Sequence, residues 1–276
     1  MNTTTSEQQR VAHWIQQHSE RSNAVEVSIV VPAYNEERRL PPTLIDMIDY
    51  CDSNLSTYEV IVVDDGSTDK TSATVQKFTK VCPHVRLIRL PRNQGKGHAV
   101  RLGVLSSRGE RVLFADADGA TPISELGRLN SAMTSGVDVV IGSRAKPSTD
   151  TKVSTVIHRK LLGRIFNGCV NFLILPGIAD TQCGFKLFTK SAAAFLFSHQ
   201  RSDRFSFDVE LLFLAQRVGY QIVEMPINWT NIPGSKVNLL ADAFAMFRDI
   251  FKFKVRHHSV NKSTLEDFVR EQANLA

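Results

Sequence analysis

The chain has 276 residues, a hydrophobic fraction of 42%, a charged fraction of 22% and a formal net charge of +5. That length holds one substantial core, or a core with an appendage, and the composition is that of a soluble globular protein. So modest a charge fits anionic small molecules or an anionic membrane surface; it does not single out nucleic acid, and no nucleic-acid partner is expected.

In chain order, residues 1–24 read as a polar arm. Val27 to Val31 is a short β-branched strand ending in Pro32-Ala33-Tyr34-Asn35-Glu36, followed by a helix from Pro41 to Cys51. Tyr58 to Val63 is the second strand, ending in Asp64-Asp65-Gly66-Ser67, and Thr68-Asp69 caps a helix through Thr79. Val85 to Leu90 is the third strand, and Asn93-Gln94-Gly95-Lys96-Gly97-His98 leads into a helix to Ser107. Arg111 to Phe114 is the fourth strand, ending in Asp116-Ala117-Asp118-Gly119, with a helix from Ser124 to Thr134. Val137 to Ser143 is the fifth strand, ending in Arg144. Strands alternating with helices, and strands that are almost continuously apolar, predict a parallel sheet covered on both faces. Every polar motif falls just after a strand, the edge where open α/β sheets bind ligands.

The second half is less regular. Val153 to Leu175 reads as mainly helical with a basic start, His158-Arg159-Lys160. Asp180 to Lys186 is a polar turn leading into a strand, Ser206 to Val218 a helix, Gln221 to Trp229 a strand, and Ile232 to Lys236 a loop. A last helix from Val237 to Arg256 carries a Leu/Phe stripe with a basic flank, followed by a charged tail. The stripe suits either a membrane-surface helix or packing on the sheet. The expected domains are 1–24, 25–236 and 237–276.

Two carboxylates spaced i, i+2 at a strand end, Asp116 and Asp118, can converge on a hard cation such as Mg2+ or Mn2+, or simply shape a turn. Asp64 and Asp65 can accept from a nucleobase N–H or a ribose hydroxyl, or cap the next helix; one acid on each task is compatible with both. Gly95-Lys96-Gly97 at a helix start attracts anions but is neither a P-loop nor a dinucleotide fingerprint. Arg144, Arg159, Lys160 and Lys236 are candidate phosphate partners. Asp208 and Glu210 do not share a helix face, so one is expected in the cleft and the other as a solvated or capping acid. The four cysteines are far apart with no CxxC pair, and the eight histidines show no HExxH pattern, so reduced core thiols are expected. Met1 to Glu20 lacks an apolar core of the signal-peptide kind, and no stretch reaches the about 18 apolar residues of a spanning helix. A cytoplasmic protein, soluble or peripheral, is the expectation.

Val30-Val31-Pro32-Ala33-Tyr34-Asn35-Glu36, Val63-Asp64-Asp65-Gly66-Ser67 and Asp116-Ala117-Asp118 together resemble the inverting family 2 glycosyltransferases of GT-A fold. Asn93 to Gly97, Ala115 to Thr121, Asp180 to Phe188, Phe207 to Leu212 and Asn228-Trp229-Thr230 with Gly234-Ser235-Lys236 look like the dolichyl-phosphate β-glucosyltransferases, over roughly Val25 to Arg256. The resemblance implies a Rossmann-like, mostly parallel sheet, UDP-glucose as donor, a polyprenyl monophosphate as acceptor, and Mg2+ or Mn2+. It places Pro32, Tyr34, Glu36 and Asp65 at the nucleoside, and Asp116 and Asp118 on the metal and diphosphate; Asp64 and Lys96, read from their own motifs, are expected to join them in binding the donor. Arg144, Arg159 and Lys236 would meet phosphates, and Asp208 would stand near the transferred sugar. It also implies work at a membrane surface, alone or with a membrane-protein partner. A phosphate monoester, whose second pKa is near ~6, can attack sugar C1 without a protein base. A hydroxyl acceptor would require one. A GDP-mannose donor and a nucleotide-sugar binder without turnover are the competing readings.

Overall fold

The computed structural model describes residues 24–146, 148–154, 168, 170, 174–233, 248–249 and 252–275. In chain order these form β1 (Val27–Ala33), α1 (Leu40–Asn54), β2 (Tyr58–Asp64), α2 (Thr71–Val81), β3 (Val85–Arg89), α3 (Lys96–Leu105), β4 (Arg111–Ala115), α4 (Glu125–Ala132), β5 (Val139–Ser143), β6 (Val153–Ser154), β7 (Phe185–Thr189), α5 (Lys190–His199), α6 (Phe207–Val218), β8 (Ile222–Pro226), β9 (Trp229–Thr230) and α7 (Lys262–Leu275). One seven-stranded sheet has the order β3-β2-β1-β4-β7-β5-β8, and β6 pairs with β9 apart from it. β7 runs antiparallel to both β4 and β5; the other pairs of the large sheet are parallel.

β1 and β2 are buried along their whole length, as strands covered on both faces must be. Their side chains alternate between two cores. Ile29 and Val31 meet Leu40, Leu44 and Met47 of α1 and Leu126 and Leu129 of α4. Val30, Ile61 and Val63 meet Ala99, Val100 and Val104 of α3, with α5 and α6 beyond. Each fully buried Val, Leu or Ile contributes about 1.5–3 kcal/mol. The α/β architecture with a mostly parallel sheet is as expected.

The chain passes from β1 outward to β2 and β3, then returns to lay β4 on the other side of β1. That reversal opens a crevice beyond the carboxyl ends of β1 and β4, the usual ligand position in such sheets. β7 enters the sheet from that same edge, because it is antiparallel with Phe185 opposite Ala115. The segment 180–184 is thereby delivered to the crevice from the second half of the chain.

Three parts differ from the sequence expectation. Lys190–His199 is a helix, started by Thr189, whose Oγ1 accepts from Ala192 N at 3.3 Å. The segment 221–229 is not one strand: β8 stops at Pro226 and β9 leaves to pair with β6. The charged tail contains α7, whose Leu265 and Phe268 pack on the core, with Phe268 edge-on to Phe195 at 5.3 Å. Residues 1–23, most of 153–175 and the helix expected over 237–256, apart from 248–249 and 252–256, lie outside the described residues. Among those described, no helix is long and apolar enough to cross a membrane.

Candidate active site

The loop after β1 and the loop after β2 are stitched together. Asn35 N donates to Ser67 Oγ at 2.8 Å and Glu36 N to Thr71 Oγ1 at 2.7 Å, while Asn35 Oδ1 accepts from Thr68 N at 2.8 Å. Asn35 holds a left-handed φ of 54°, which Asn tolerates better than most residues. Pro32 is buried at the end of β1, and Tyr34 is half-buried just beyond it. Asp64 is fully buried; its carboxylate accepts from Ser67 N and from the Ser72 hydroxyl, so it serves the turn and the start of α2. Asp65 turns both oxygens onto the next loop, accepting from Gln94 N at 2.7 Å and Gly95 N at 2.8 Å. The two acids therefore divide their tasks: Asp64 ties the turn after β2 to the Ser72 side chain of α2, and Asp65 seats the glycine-rich turn.

That turn has no room to spare. A β-carbon on Gly95 would collide with Asp203 O, and one on Gly97 with Ser202 O. Gly95 also holds φ 112°, a conformation for glycine. The close fit aims Lys96 at the crevice, where its Nζ lies 2.7 Å from Asp116 Oδ1 and 5.2 Å from the Phe114 ring centroid. Burial alone would pull the Lys96 ammonium down. The carboxylates of Asp116 and Asp208 outweigh it and hold the group above its ordinary value.

Asp116 and Asp118 follow β4 and are both partly exposed to the crevice, at 36% and 27% of their side chains. Burial, and then the neighbouring Asp116 charge, holds the Asp118 carboxyl above the ordinary carboxylate value. This is a like-charge pair that a cation would relieve. Two protein cations already stand at its ends: Lys96 on Asp116, and Arg39 Nη1 at 3.8 Å from Asp118 Oδ2. Among the described residues no group of three or more His, Cys, Asp or Glu gathers to hold an ion. A two-carboxylate, all-oxygen set suits Mg2+ or Mn2+, which take their remaining ligands from water and substrate phosphates.

Arg39 gives no signal in the sequence beyond its i, i+3 spacing from Glu36. It forks onto that acid, with Nε to Oε2 at 2.7 Å and Nη2 to Oε1 at 2.6 Å, and so ties the β1 loop to the Asp118 side of the crevice. Arg144 forks in the same way onto buried Asp180, at 2.7 and 2.8 Å, and its guanidinium lies 5.5 Å from the Trp229 ring. Burial opposes both charges, but the pairing with Arg144 prevails and holds Asp180 below the ordinary carboxylate value. The Arg144 Nη1 takes no part in this fork, and 31% of the side chain remains exposed.

Asp208 lies on the crevice side of α6 but is nearly buried, paired with fully buried Lys186 at 2.5 Å. Burial raises its carboxyl above the ordinary value despite Lys186 and Lys96. Glu210 corrects the sequence expectation of a solvated or capping acid. It is fully buried, accepts from Arg201 N and Ser202 N, and lies 2.7 Å from His257 Nε2. Helix periodicity could not reveal this, because its partners lie outside α6. Arg159, Lys160 and Lys236 lie outside the described residues.

A doubly wound sheet with an Asp-x-Asp pair at its switch point, a lysine loop against that pair and an antiparallel strand completing the edge is the architecture of the GT-A glycosyltransferases. Residues 28–197 match the family described as Glycosyl transferase family 2, and the chain belongs to it. It is 42% identical to the dolichyl-phosphate β-glucosyltransferase of Mus musculus over 245 residues, 84% of this chain and 76% of that one. It is 38% identical to the Saccharomyces cerevisiae enzyme of the same name, over 81% of this chain and 72% of that one. Among solved structures, glucosyl-3-phosphoglycerate synthase from Mycobacterium tuberculosis, in complex with Mn2+ and UDP-glucose, superposes with a TM-score of 0.59 at 18% identity, covering 86% of this chain and 80% of that one. The same enzyme is known with Mg2+ and UDP. Mannosyl-3-phosphoglycerate synthase from Rubrobacter xylanophilus superposes with a TM-score of 0.63 at 16% identity, over 87% of this chain and 77% of that one. These structural likenesses speak to the fold.

Proposed function

We propose that the chain transfers glucose from UDP-glucose to a polyprenyl monophosphate of the dolichyl type, with inversion at the sugar. The observation that carries this reading is the 42% identity to a dolichyl-phosphate β-glucosyltransferase. The Asp116, Asp118, Lys96 and Arg39 cluster supports it, as a site suited to a departing diphosphate. In the transfer an acceptor phosphate oxygen forms the new bond to glucose C1. The bond from C1 to the diphosphate breaks, and its electron pair leaves on the UDP β-phosphate. The acceptor is already an anion, so the chain's task is alignment and charge stabilisation. The stitched loops after β1 and β2 would hold the nucleoside between Pro32, Tyr34, Glu36 and Asp65. Lys96 and Arg39 would exchange their contacts with the acid pair for contacts with phosphate oxygens. Arg144 would offer its outer edge to a phosphate, with Arg159 and Lys236 as further partners. Asp208 would orient a sugar hydroxyl. Asp116 and Asp118 would hold Mg2+ or Mn2+, which supplies Lewis-acid stabilisation of the leaving diphosphate.

A lipid phosphate sits at a bilayer, so the reading includes a peripheral position at the cytoplasmic face, reached by the basic, Phe-rich segment 237–256 or through a membrane-protein partner. Each Lys or Arg near anionic lipid contributes about 1 kcal/mol, screened by salt. The test is a screen of UDP-glucose, UDP-galactose and GDP-mannose with purified protein, polyprenyl phosphate and Mn2+ or Mg2+, with the product identified by mass. A glucolipid made only from UDP-glucose is expected. A mannolipid from GDP-mannose overturns the donor assignment. Salt-sensitive flotation with anionic liposomes is expected, and flotation that salt does not change removes the basic segment as the anchor.

A further inference from the structure

The glycine-rich turn is clamped from two sides. On one side Asp65 accepts from Gln94 N and Gly95 N. On the other, the segment 200–203 lies on it. Gln200 Nε2 donates to Gly97 O at 2.9 Å, His98 N donates to Asp203 O at 3.0 Å, and the carbonyls of Ser202 and Asp203 fill the space that β-carbons at Gly97 and Gly95 would need.

From the α6 side, one carboxylate reaches the segment's backbone. Glu210 Oε2 accepts from Ser202 N at 2.8 Å and from Arg201 N at 3.1 Å. Within the segment Gln200 Nε2 also donates to Ser202 O at 2.8 Å, whereas Gln200 Oε1 and Ser202 Oγ are buried without a hydrogen-bond partner among the described residues. The second oxygen of Glu210 meets His257 Nε2 at 2.7 Å, and both side chains are buried. With Oε2 taken up by the two amides, Oε1 is left to share a hydrogen bond with the imidazole Nε2. His257 follows the 252–256 helical turn, which is itself anchored on α6: Phe253 stacks on Phe213, and Arg217 donates to His258 O at 2.7 Å.

We infer that His257 is a positioning residue: through Glu210 it fixes the 200–203 segment on the Gly95-Lys96-Gly97 turn, and so sets where the Lys96 ammonium stands against Asp116. The C-terminal region thereby contributes to a site built by the other end of the chain. A hydrogen bond buried in a dry environment is costly to leave unmade, and a carboxyl group with one bond missing is free to rotate away from the two amides. The catalytic side of the inference rests on the donor-site reading above; the structural side does not.

The experiment compares the full chain with His257→Phe, which keeps ring volume without the donor, and His257→Gln, which keeps an N–H. Amide hydrogen exchange is read without substrate at residues 94–98 and 201–203, alongside kcat and KM for UDP-glucose. His257→Phe is expected to speed exchange at both segments about tenfold, the loss of one buried hydrogen bond. Exchange in β1 and β2 should stay unchanged, and UDP-glucose KM should rise more than kcat falls. His257→Gln should recover most of the protection. A folded His257→Phe chain whose 94–98 amides exchange as in the wild type overturns the inference. If His257→Phe does not fold, Glu210→Gln takes its place, and exchange confined to 201–203 overturns the coupling. Exchange that responds while KM stays fixed supports the coupling and overturns the role of Lys96 in the donor site.

Discussion

Gly184 is the floor on which the Asp116 carboxylate rests: a β-carbon there would occupy the position of the Asp116 side chain, while Gly184 O accepts from Asp116 N at 3.0 Å. One residue thus fixes the backbone of the acid and leaves room for its side chain. Gly184→Ala should push the Asp116 carboxylate out of place. We expect Mn2+ binding, followed by calorimetry with UDP present, to weaken at least tenfold, and kcat to fall on the order of 10²-fold. The melting temperature should move by only a few degrees, because the crowding meets a side chain at the edge of the crevice. Unchanged metal affinity would remove Gly184 from the site.

Asp116→Ala and Asp118→Ala should each lower kcat by ~10²-fold or more if a bound ion supplies several kcal/mol of leaving-group stabilisation. Neither should unfold the chain, since both acids are partly exposed and Asp118 is held above its ordinary value by burial and by its neighbour. EDTA should abolish turnover and Mn2+ or Mg2+ restore it. Full activity in EDTA would end the metal assignment.

Lys186 is fully buried and contacts both Asp208 and the Cys183 carbonyl, the latter at 2.6 Å. Lys186→Met would leave Asp208 buried without its cation. A broken buried pair typically costs about 3–5 kcal/mol, so urea unfolding should show a loss of that order. Lys186→Met combined with Asp208→Asn should recover part of it, because the uncompensated charge is gone. Equal stability of the single and double variants would mean that Asp208 is already neutral.

Glu59 gives a pH signature far from the site. Burial pushes its carboxyl up, but the Ser28 hydroxyl, the Arg108 amide and the Arg86 guanidinium outweigh burial and hold it below its ordinary value. A depressed carboxyl contributes stability above its unfolded value, near ~4.3, and loses it as pH falls through the lower folded value. The gap in melting temperature between wild type and Glu59→Gln should therefore be widest above about pH 5 and should narrow toward pH 3. A gap independent of pH would show that the pair of states does not differ in this proton.

Much of the sheet was legible because its signals are local. Buried strands such as Val60-Ile61-Val62-Val63 announce themselves, and the acids, glycines and lysine follow strand ends within a few residues. The Asp116-Ala117-Asp118 pair and the Gly95-Lys96-Gly97 turn were found for that reason. What escaped was made by distant contacts. Arg39 reaches Asp118 only once α1 has folded back over the crevice. Glu210 and His257 are 47 residues apart, and no periodicity connects them. α7 read as a charged tail because its apolar stripe is narrow, and only the Phe195 ring across the fold shows what Phe268 is for.

The place of β7 between β4 and β5 bears on how this enzyme is made. As the chain leaves the ribosome, β1 to β4 can pair at once, but β5 has no neighbour until Phe185–Thr189 has been synthesised. Non-local pairing of this kind is slow, and it leaves strand edges open in the interval. A message cut short between Ser143 and Phe185 would thus yield an adhesive half-sheet, with the acid pair present and its glycine floor missing. Translation speed through this stretch becomes a variable in the yield of active protein.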